Sequence, residues 1–476
     1  MKCEEGRQKN SGSFCWKFYT EWAERTKRRG IEMRIRFYNV RILTMEENVP
    51  IFRGEIQIED GRIRCIIKNA KENEIALSES GGSFSLWDRE IDGEGNLVMP
   101  GFKDAHTHSP MTFLRSLADD LPLQSWLQTV VFPAEAKLTK EDVYWLTLLA
   151  VMEYLTSGIT AVFDMYFHRE SVARAMKDSG FRTVFCGALN DFTESAGEIE
   201  RDYERYNQEE LLSFRLGFHA EYTTGIERLK QVAALAEKYK APVYTHLAET
   251  KAEVESCKAR NGMTPLAYLD SLGIFRYGGG AFHMVHLEDE DFSIAKKRGI
   301  FCVTNPASNL KLASGVAPVA EMMHRGIPVA IGTDGPASNN CLDMFREMFL
   351  TTGLQKVRQE DATAVPAWEV LKMATVNAAT AMGLSDADVL QEGKRADLIM
   401  IDLAQPNMHP LYEESIIRNL VYSGSKQNVK FTMVNGRILY EDGKFHIGTD
   451  KEVIYHMARE VLDRTIRCNI LEKGIN

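Results

Sequence analysis

His106 and His108 stand two residues apart at the end of an apolar run, 97–108, where strand alternation turns both imidazoles to one face. Other ionisable residues fall in later runs of the same kind. His246 lies near the end of 242–249, His283 sits within 280–287, and Asp334 is the last residue of 328–334. Any one of these histidines, taken alone, reads as a hydrogen-bonded core or loop residue. If the runs share one end, His106, His108, His246 and Asp334 converge, and three nitrogens with one carboxylate suit Zn²⁺ with a position left for water or substrate. Glu249 follows His246 by three residues and has two readings. It is either a helix-start carboxylate stabilised by the dipole or a general acid–base beside a metal-bound histidine. His286 should face away from His283 and reads as structural, while His168, His219, His324, His409, His446 and His456 are assigned no chemistry. By composition alone, Trp126 and Glu135 are part of an amphipathic helix and its cap.

Eight short apolar runs would carry these groups: 97–108, 158–165, 182–189, 214–221, 242–249, 280–287, 301–305 and 328–334. Helix-period stretches such as 140–156, 171–179, 227–239 and 316–324 separate them. Strands alternating with helices imply right-handed βαβ units and a parallel sheet, and eight units fit a (β/α)₈ barrel with its site at the C-terminal strand ends. An open doubly wound sheet would place a Gly-x-Gly-x-x-Gly turn after its first strand; Asp104-Ala105-His106-Thr107-His108 stands there instead. Period-2 alternation begins at Met33, with Asp60-Gly61 as a hairpin turn, and returns in 396–401 and 431–438. The expected organisation is a poorly ordered extension over 1–32, a β-sandwich built from 33–98 and 386–446, the barrel over 99–385, and a C-terminal helix and tail over 447–476.

The net charge of −10 argues against nucleic acid or an anionic membrane as the main partner. No stretch approaches the ~20 apolar residues of a membrane span, and the start has no apolar core of a secretion signal. Eight scattered cysteines, none as Cys-x-x-Cys, point to a reducing cytoplasm. They also exclude the zinc deaminases built on a Pro-Cys-x-x-Cys signature.

With these residues in place, the chain resembles the amidohydrolase superfamily, and most closely the branch of 5′-methylthioadenosine/S-adenosylhomocysteine deaminases and related triazine chlorohydrolases. The matching blocks are Met99-Pro100-Gly101, DAHTHSPMTFL over 104–114, 118–122, 164–168, THLAET over 245–250, HMVHL over 283–287, NPASNLKL over 305–312 and GTDGPASNN over 332–340. The resemblance implies metal ligands at His106, His108, His246 and Asp334, and one Zn²⁺ per subunit, with Fe²⁺ or another divalent ion as alternatives. It makes Glu249 the proton shuttle at the ring nitrogen, His283 the residue that orients water, and Asp334 the acceptor of the water proton. Trp126, Glu135, Glu221 and Ser338 join Glu249 as substrate contacts. Binuclear relatives carry a carboxylated lysine at the end of strand four; the run 214–221 has no lysine.

The implied activity is hydrolytic deamination of 6-aminopurine nucleosides such as 5′-methylthioadenosine, adenosine or S-adenosylhomocysteine. The alternative is hydrolysis of another N-heterocycle, a triazine, a pterin or another purine. A small-molecule partner is expected, and the number of subunits is open. Two departures bear on substrate. A histidine expected in Pro-His-Ser after strand four is replaced by Ala220-Glu221-Tyr222, and an arginine that would grip a homocysteine carboxylate is replaced by Gly187, with Glu198 near the place of a second arginine and Arg201 as a substitute.

Overall fold

A computed structural model describes residues 33–69, 87–117, 119–121 and 123–467. The expectation for 1–32 and that for the last nine residues of the tail lie outside the described residues.

Eight parallel strands form a nearly closed barrel: β1 (Phe102–Thr107), β2 (Ile159–Asp164), β3 (Arg182–Cys186), β4 (Leu212–Ala220), β5 (Val243–Leu247), β6 (Gly279–His283), β7 (Ile300–Thr304) and β8 (Val329–Ile331). Each pairs with the next in chain order, as right-handed βαβ units require. The seam between β8 and β1 is closed beyond the strand by loop residues: the Asp334 N–H donates to the His106 carbonyl at 2.9 Å, and the Thr333 N–H to Asp104 Oδ1 at 2.8 Å. This seam brings residues from opposite ends of the barrel sequence together. The interior is packed. Phe163 meets Tyr244 and Phe282 edge-on, at 4.8 and 5.8 Å between ring centres, and His106 lies flat on Phe282 at 3.8 Å. Apolar side chains thus fill the lower barrel and leave the polar ones at the C-terminal end.

The first run divides at Gly101. Leu97–Pro100 joins a second sheet, and only Phe102–Thr107 enters the barrel. A side chain at Gly101 would strike Thr160, so the crossing between sheets is made where backbone alone fits. The helices Lys140–Thr156 and Ile226–Tyr239 lie where the period places them. The last expected helix starts later, at Val319, because Pro318 keeps the preceding residue out of helical backbone. Thr139 and Asp142 form a reciprocal capping box at the start of Lys140–Thr156.

The second sheet has nine strands of mixed direction, drawn from Arg34–Asp92, from Leu97–Pro100 and from Leu398–Phe445. Strands Arg34–Ile42 and Val429–Val434 are three places apart in it, about 14 Å if it were flat. Yet Phe37 and Phe431 meet edge to face at 5.2 Å, so the sheet curls over an apolar filling of Ile35, Ile56, Val98 and Met433. The expected sandwich is therefore one folded sheet. Its hairpins turn on Asp60-Gly61, Asn435-Gly436 and Asp442-Gly443, all six residues at positive φ as a type I′ turn demands. Arg182 of β3 and Asp397 tie sheet to barrel by a buried two-point ion pair, at 2.5 and 3.1 Å. No helix among the described residues is long and apolar enough to cross a membrane.

Candidate metal centre and active site

The barrel mouth gathers the five groups singled out from sequence. His106 Nε2 lies 3.1 Å from His246 Nε2 and 3.5 Å from Asp334 Oδ1, and His108 Nε2 is 3.2 Å from the same oxygen. Two sets of donor atoms cluster within 4.8 Å of one another: His106, His108 and His246, and His106, His283 and Asp334. Ligands about 2.0–2.1 Å from a tetrahedral Zn²⁺ stand roughly 3.3 Å apart, so these spacings match the edges of such a site. The tautomers agree. His108 Nδ1 bonds the Met165 carbonyl at 2.6 Å and His246 Nδ1 the His219 carbonyl at 2.8 Å. Carbonyls only accept, so both Nδ1 atoms carry a proton, and in the neutral rings both Nε2 lone pairs face inward. Facing lone pairs repel unless a cation lies between them, and the residues present fit a divalent metal.

Electrostatics call for positive charge at this centre: burial works against charge on His108, yet the Asp334 carboxylate beside it lifts the ring to about 9. Burial pushes His106 down to about 3 and holds His246 well below the usual range, so both rings stay neutral. Burial opposes charge on Asp334 as well, but hydrogen bonds from His106 and His108 hold the carboxylate ionised, well below its usual range. The Ser308 and Ser338 hydroxyls donate to its other oxygen at 2.6 and 2.8 Å. Asp334 sits at φ 59, where a side chain costs about 1–3 kcal/mol. Its N–H on His106 and its carbonyl, which accepts from the Thr107 and Thr333 hydroxyls, keep it there.

Glu249 is buried, 4.0 Å from His283 Nε2, and accepts from the Ser314 hydroxyl at 3.2 Å. Burial raises its proton affinity. It precedes the helix Lys251–Asn261, whose cap is Thr250, so the helix-start reading belongs to Glu253 instead. His283 is fixed through Nδ1 on Asn309 Oδ1 at 2.8 Å. His286 does turn away, to the Ser314 carbonyl at 2.7 Å.

The outer residues spread around this centre. Trp126 is buried in the outer core, and Glu135 accepts from the Tyr166 hydroxyl at 2.7 Å, with burial lifting it to about 7. The Ser338 hydroxyl is engaged by Asp334. Glu221 is paired with Arg260 at 2.5 Å and Asn261 at 3.2 Å, so its charge is neutralised. Gly187 is hemmed in: a Cβ there would lie 2.7 Å from the Gly217 carbonyl and 2.8 Å from Ile199. Arg201 is exposed on the helix Ala196–Tyr206, and Glu198 caps that helix with Ser195. One residue before the expected loss after strand four stands His219. Its ring lies 5.0 Å from that of His246, with Nδ1 on Thr223 Oγ1 at 2.8 Å. A histidine is therefore present at the end of β4, and sequence reading passed over it; its only signal was the place at a strand end.

Comparison with known proteins places the site in context. The model of the amidohydrolase family matches residues 97–439. A 5-methylthioadenosine/S-adenosylhomocysteine deaminase of Syntrophomonas wolfei is 39% identical over 91% of this chain and 100% of its own length. A 5′-deoxyadenosine deaminase of Methanopyrus kandleri is 40% identical over 87% of this chain and 95% of its own. Among solved structures, an adenosine deaminase from Xanthomonas campestris with bound zinc superposes with a TM-score of 0.83 at 32% identity, covering 91% of this chain and 98% of that one. An atrazine chlorohydrolase from Arthrobacter aurescens, complexed with zinc, shares the fold at 21% identity and a TM-score of 0.78, over 90% and 100% of the two chains. With its metal-binding cluster at the mouth of the barrel, this chain belongs to the amidohydrolase family.

Proposed function

We propose that the chain removes the 6-amino group of adenosine-like nucleosides by hydrolysis, using one Zn²⁺ held by His106, His108, His246 and Asp334. The observation that carries the reading is Glu249: a buried carboxyl of raised proton affinity beside a cluster of inward-facing histidine lone pairs. The names of the two relatives compared by sequence, a 5-methylthioadenosine/S-adenosylhomocysteine deaminase and a 5′-deoxyadenosine deaminase, support the substrate class. A cation at this centre supplies Lewis acidity, which can bring the pKa of water from ~15.7 to about 7.

The chain's own groups do the rest. Asp334, ionised and steadied by two serine hydroxyls, accepts the proton of the attacking water. Glu249 delivers a proton to the ring nitrogen beside the reacting carbon, which makes that carbon electrophilic. Water oxygen bonds to the carbon, the proton taken up by Asp334 passes to the amine, the C–N bond breaks and ammonia leaves, and the second proton of the former water returns to Glu249. His283, fixed through Asn309, orients the water. Trp126, Glu135, Glu221 and Ser338 complete the substrate contacts of this reading.

A panel of amines assayed for ammonia release tests the proposal. Turnover of 5′-methylthioadenosine, adenosine or S-adenosylhomocysteine is expected. Release only from a triazine, a pterin or another purine overturns it in favour of a different heterocycle. Elemental analysis of the same protein should find about one divalent ion per chain, and two would overturn the mononuclear centre.

A further inference from the structure

Glu249 reaches the site from an awkward backbone. The turn after β5 puts Ala248 at φ 51, in left-handed conformation without glycine's freedom, and such a residue stays only where its surroundings over-determine it. The Ala248 carbonyl accepts from the N–H groups of both Val285 and His286, each at 3.0 Å, which ties the turn to the loop after β6. That leaves the amide side. Glu253, buried one helical turn onward, accepts the Ala248 N–H on Oε1 at 2.7 Å and the Glu249 N–H on Oε2 at 2.9 Å. The Thr250 hydroxyl in turn accepts the Glu253 N–H at 3.2 Å, fixing the helix from which the carboxylate reaches back.

We infer that Glu253 is a positioning residue for the reaction: its two oxygens clamp the consecutive amides of Ala248 and Glu249 and so aim the Glu249 carboxyl at the substrate. Three considerations single it out. A carboxylate is the one side chain that accepts two parallel N–H groups with two oxygens, so the fork is matched to its task. Among the described residues no lysine or arginine hydrogen-bonds or ion-pairs with Glu253, whose carboxylate accepts from backbone N–H groups. A buried carboxylate four residues from another buried carboxylate is also unfavourable for folding alone, since each charge raises the cost of the other. Its place is explained by what it holds.

This inference rests on Glu249 acting as the proton carrier. Displacing a reacting group by ~1 Å costs on the order of 10²-fold. Glu253→Ala should therefore lose roughly ten- to a hundredfold in kcat, with KM within about twofold and metal content unchanged, because the lost alignment acts in the transition state. Glu253→Gln keeps the volume and one acceptor but turns an NH₂ toward the second amide, and should fall between the two. Thr264→Ala, which uncaps the next helix, serves as the control for stability: its thermal midpoint should fall while kcat holds. Three outcomes are distinguishable. If Glu249→Gln keeps near-normal turnover, the reading of Glu249 fails. If Glu249→Gln is impaired while both Glu253 variants turn over normally per folded, metal-loaded enzyme, the positioning inference alone is overturned. If Glu253→Ala raises KM or loses metal in proportion to activity, Glu253 merely holds the fold, and the inference is again overturned.

Discussion

Ala248, His283, Met284 and Asp334 all hold left-handed backbone at the ends of β5, β6 and β8, next to or within the reacting set. Strain of this kind is kept where a side chain must point along a direction that relaxed strand geometry does not offer. At the residue scale, two of these positions, Asp334 itself and the Ala248 that precedes Glu249, set the two carboxyl groups proposed to move protons. Glu249→Gln should therefore lose roughly 10²–10⁴-fold in kcat while keeping its metal. Steady-state kinetics beside metal analysis checks it, and near-normal turnover would return Glu249 to a structural role. The clustering of His106, His108, His246 and Asp334 was legible in the sequence because spacing two on a strand and a strand-end position are local patterns. The residues that steady it were not. Ser308, Ser314 and Asn309 act through single hydrogen bonds across loops and Glu253 through two to backbone amides, and such bonds leave no period. Glu253 alone had a trace, as the residue three beyond the Thr250 cap.

The elements around the third and fourth strands set what else the site accepts. The reading that Gly187 replaces a carboxylate-gripping arginine gains a physical reason: β3 and β4 approach so closely there that no side chain fits. Glu221 brings no unpaired charge to this region, because Arg260 from the helix after β5 pairs with it. The partner lies 39 residues away, in an element whose angle no pattern gives. Arg169, another cation of this region, is buried between Glu194 and Asp202 and is committed to them. On the proposed function, an amino-acid tail would then forgo a charge-assisted contact worth roughly 1.5–3 kcal/mol, about ten- to a hundredfold in binding. The expected order is higher kcat/KM for 5′-methylthioadenosine or adenosine than for S-adenosylhomocysteine. Kinetics on the three nucleosides decides it, and a clear preference for S-adenosylhomocysteine would locate a grip elsewhere on the mouth.

For the whole molecule, the join between barrel and curled sheet depends on a few buried polar contacts. Asp397 takes two bonds from Arg182 and a third from the Asn435 N–H at 2.7 Å, and the fully buried Lys103 ammonium lies near, on the Gly101 carbonyl and Thr160. Burial opposes charge on Asp397, yet Arg182 holds the carboxylate ionised below its usual range. Removing one member strands the other, which costs about 3–5 kcal/mol in buried pairs. Asp397→Ala should lower stability by about that amount in chemical denaturation; a loss under ~1 kcal/mol would mean that water reaches Arg182 in the variant. The barrel and the two-ended sheet were both visible as patterns of alternation. The curl that brings Phe37 onto Phe431 was not, because it depends on how far the sheet twists rather than on which residues face inward.

That sheet has a consequence for how the molecule is made. Strand Leu97–Pro100 is sealed on one side by Arg34–Ile42 but on the other only by Leu398–Ile401. A ribosome emitting 5–20 residues per second needs roughly 15–60 s to travel the ~300 residues between those partners. During that interval the whole barrel emerges while an apolar edge strand waits with its amides open. Nascent chains arrested before residue 398 should therefore be the aggregation-prone species and the ones that chaperones hold, and release of the last strands should end that exposure in a single step.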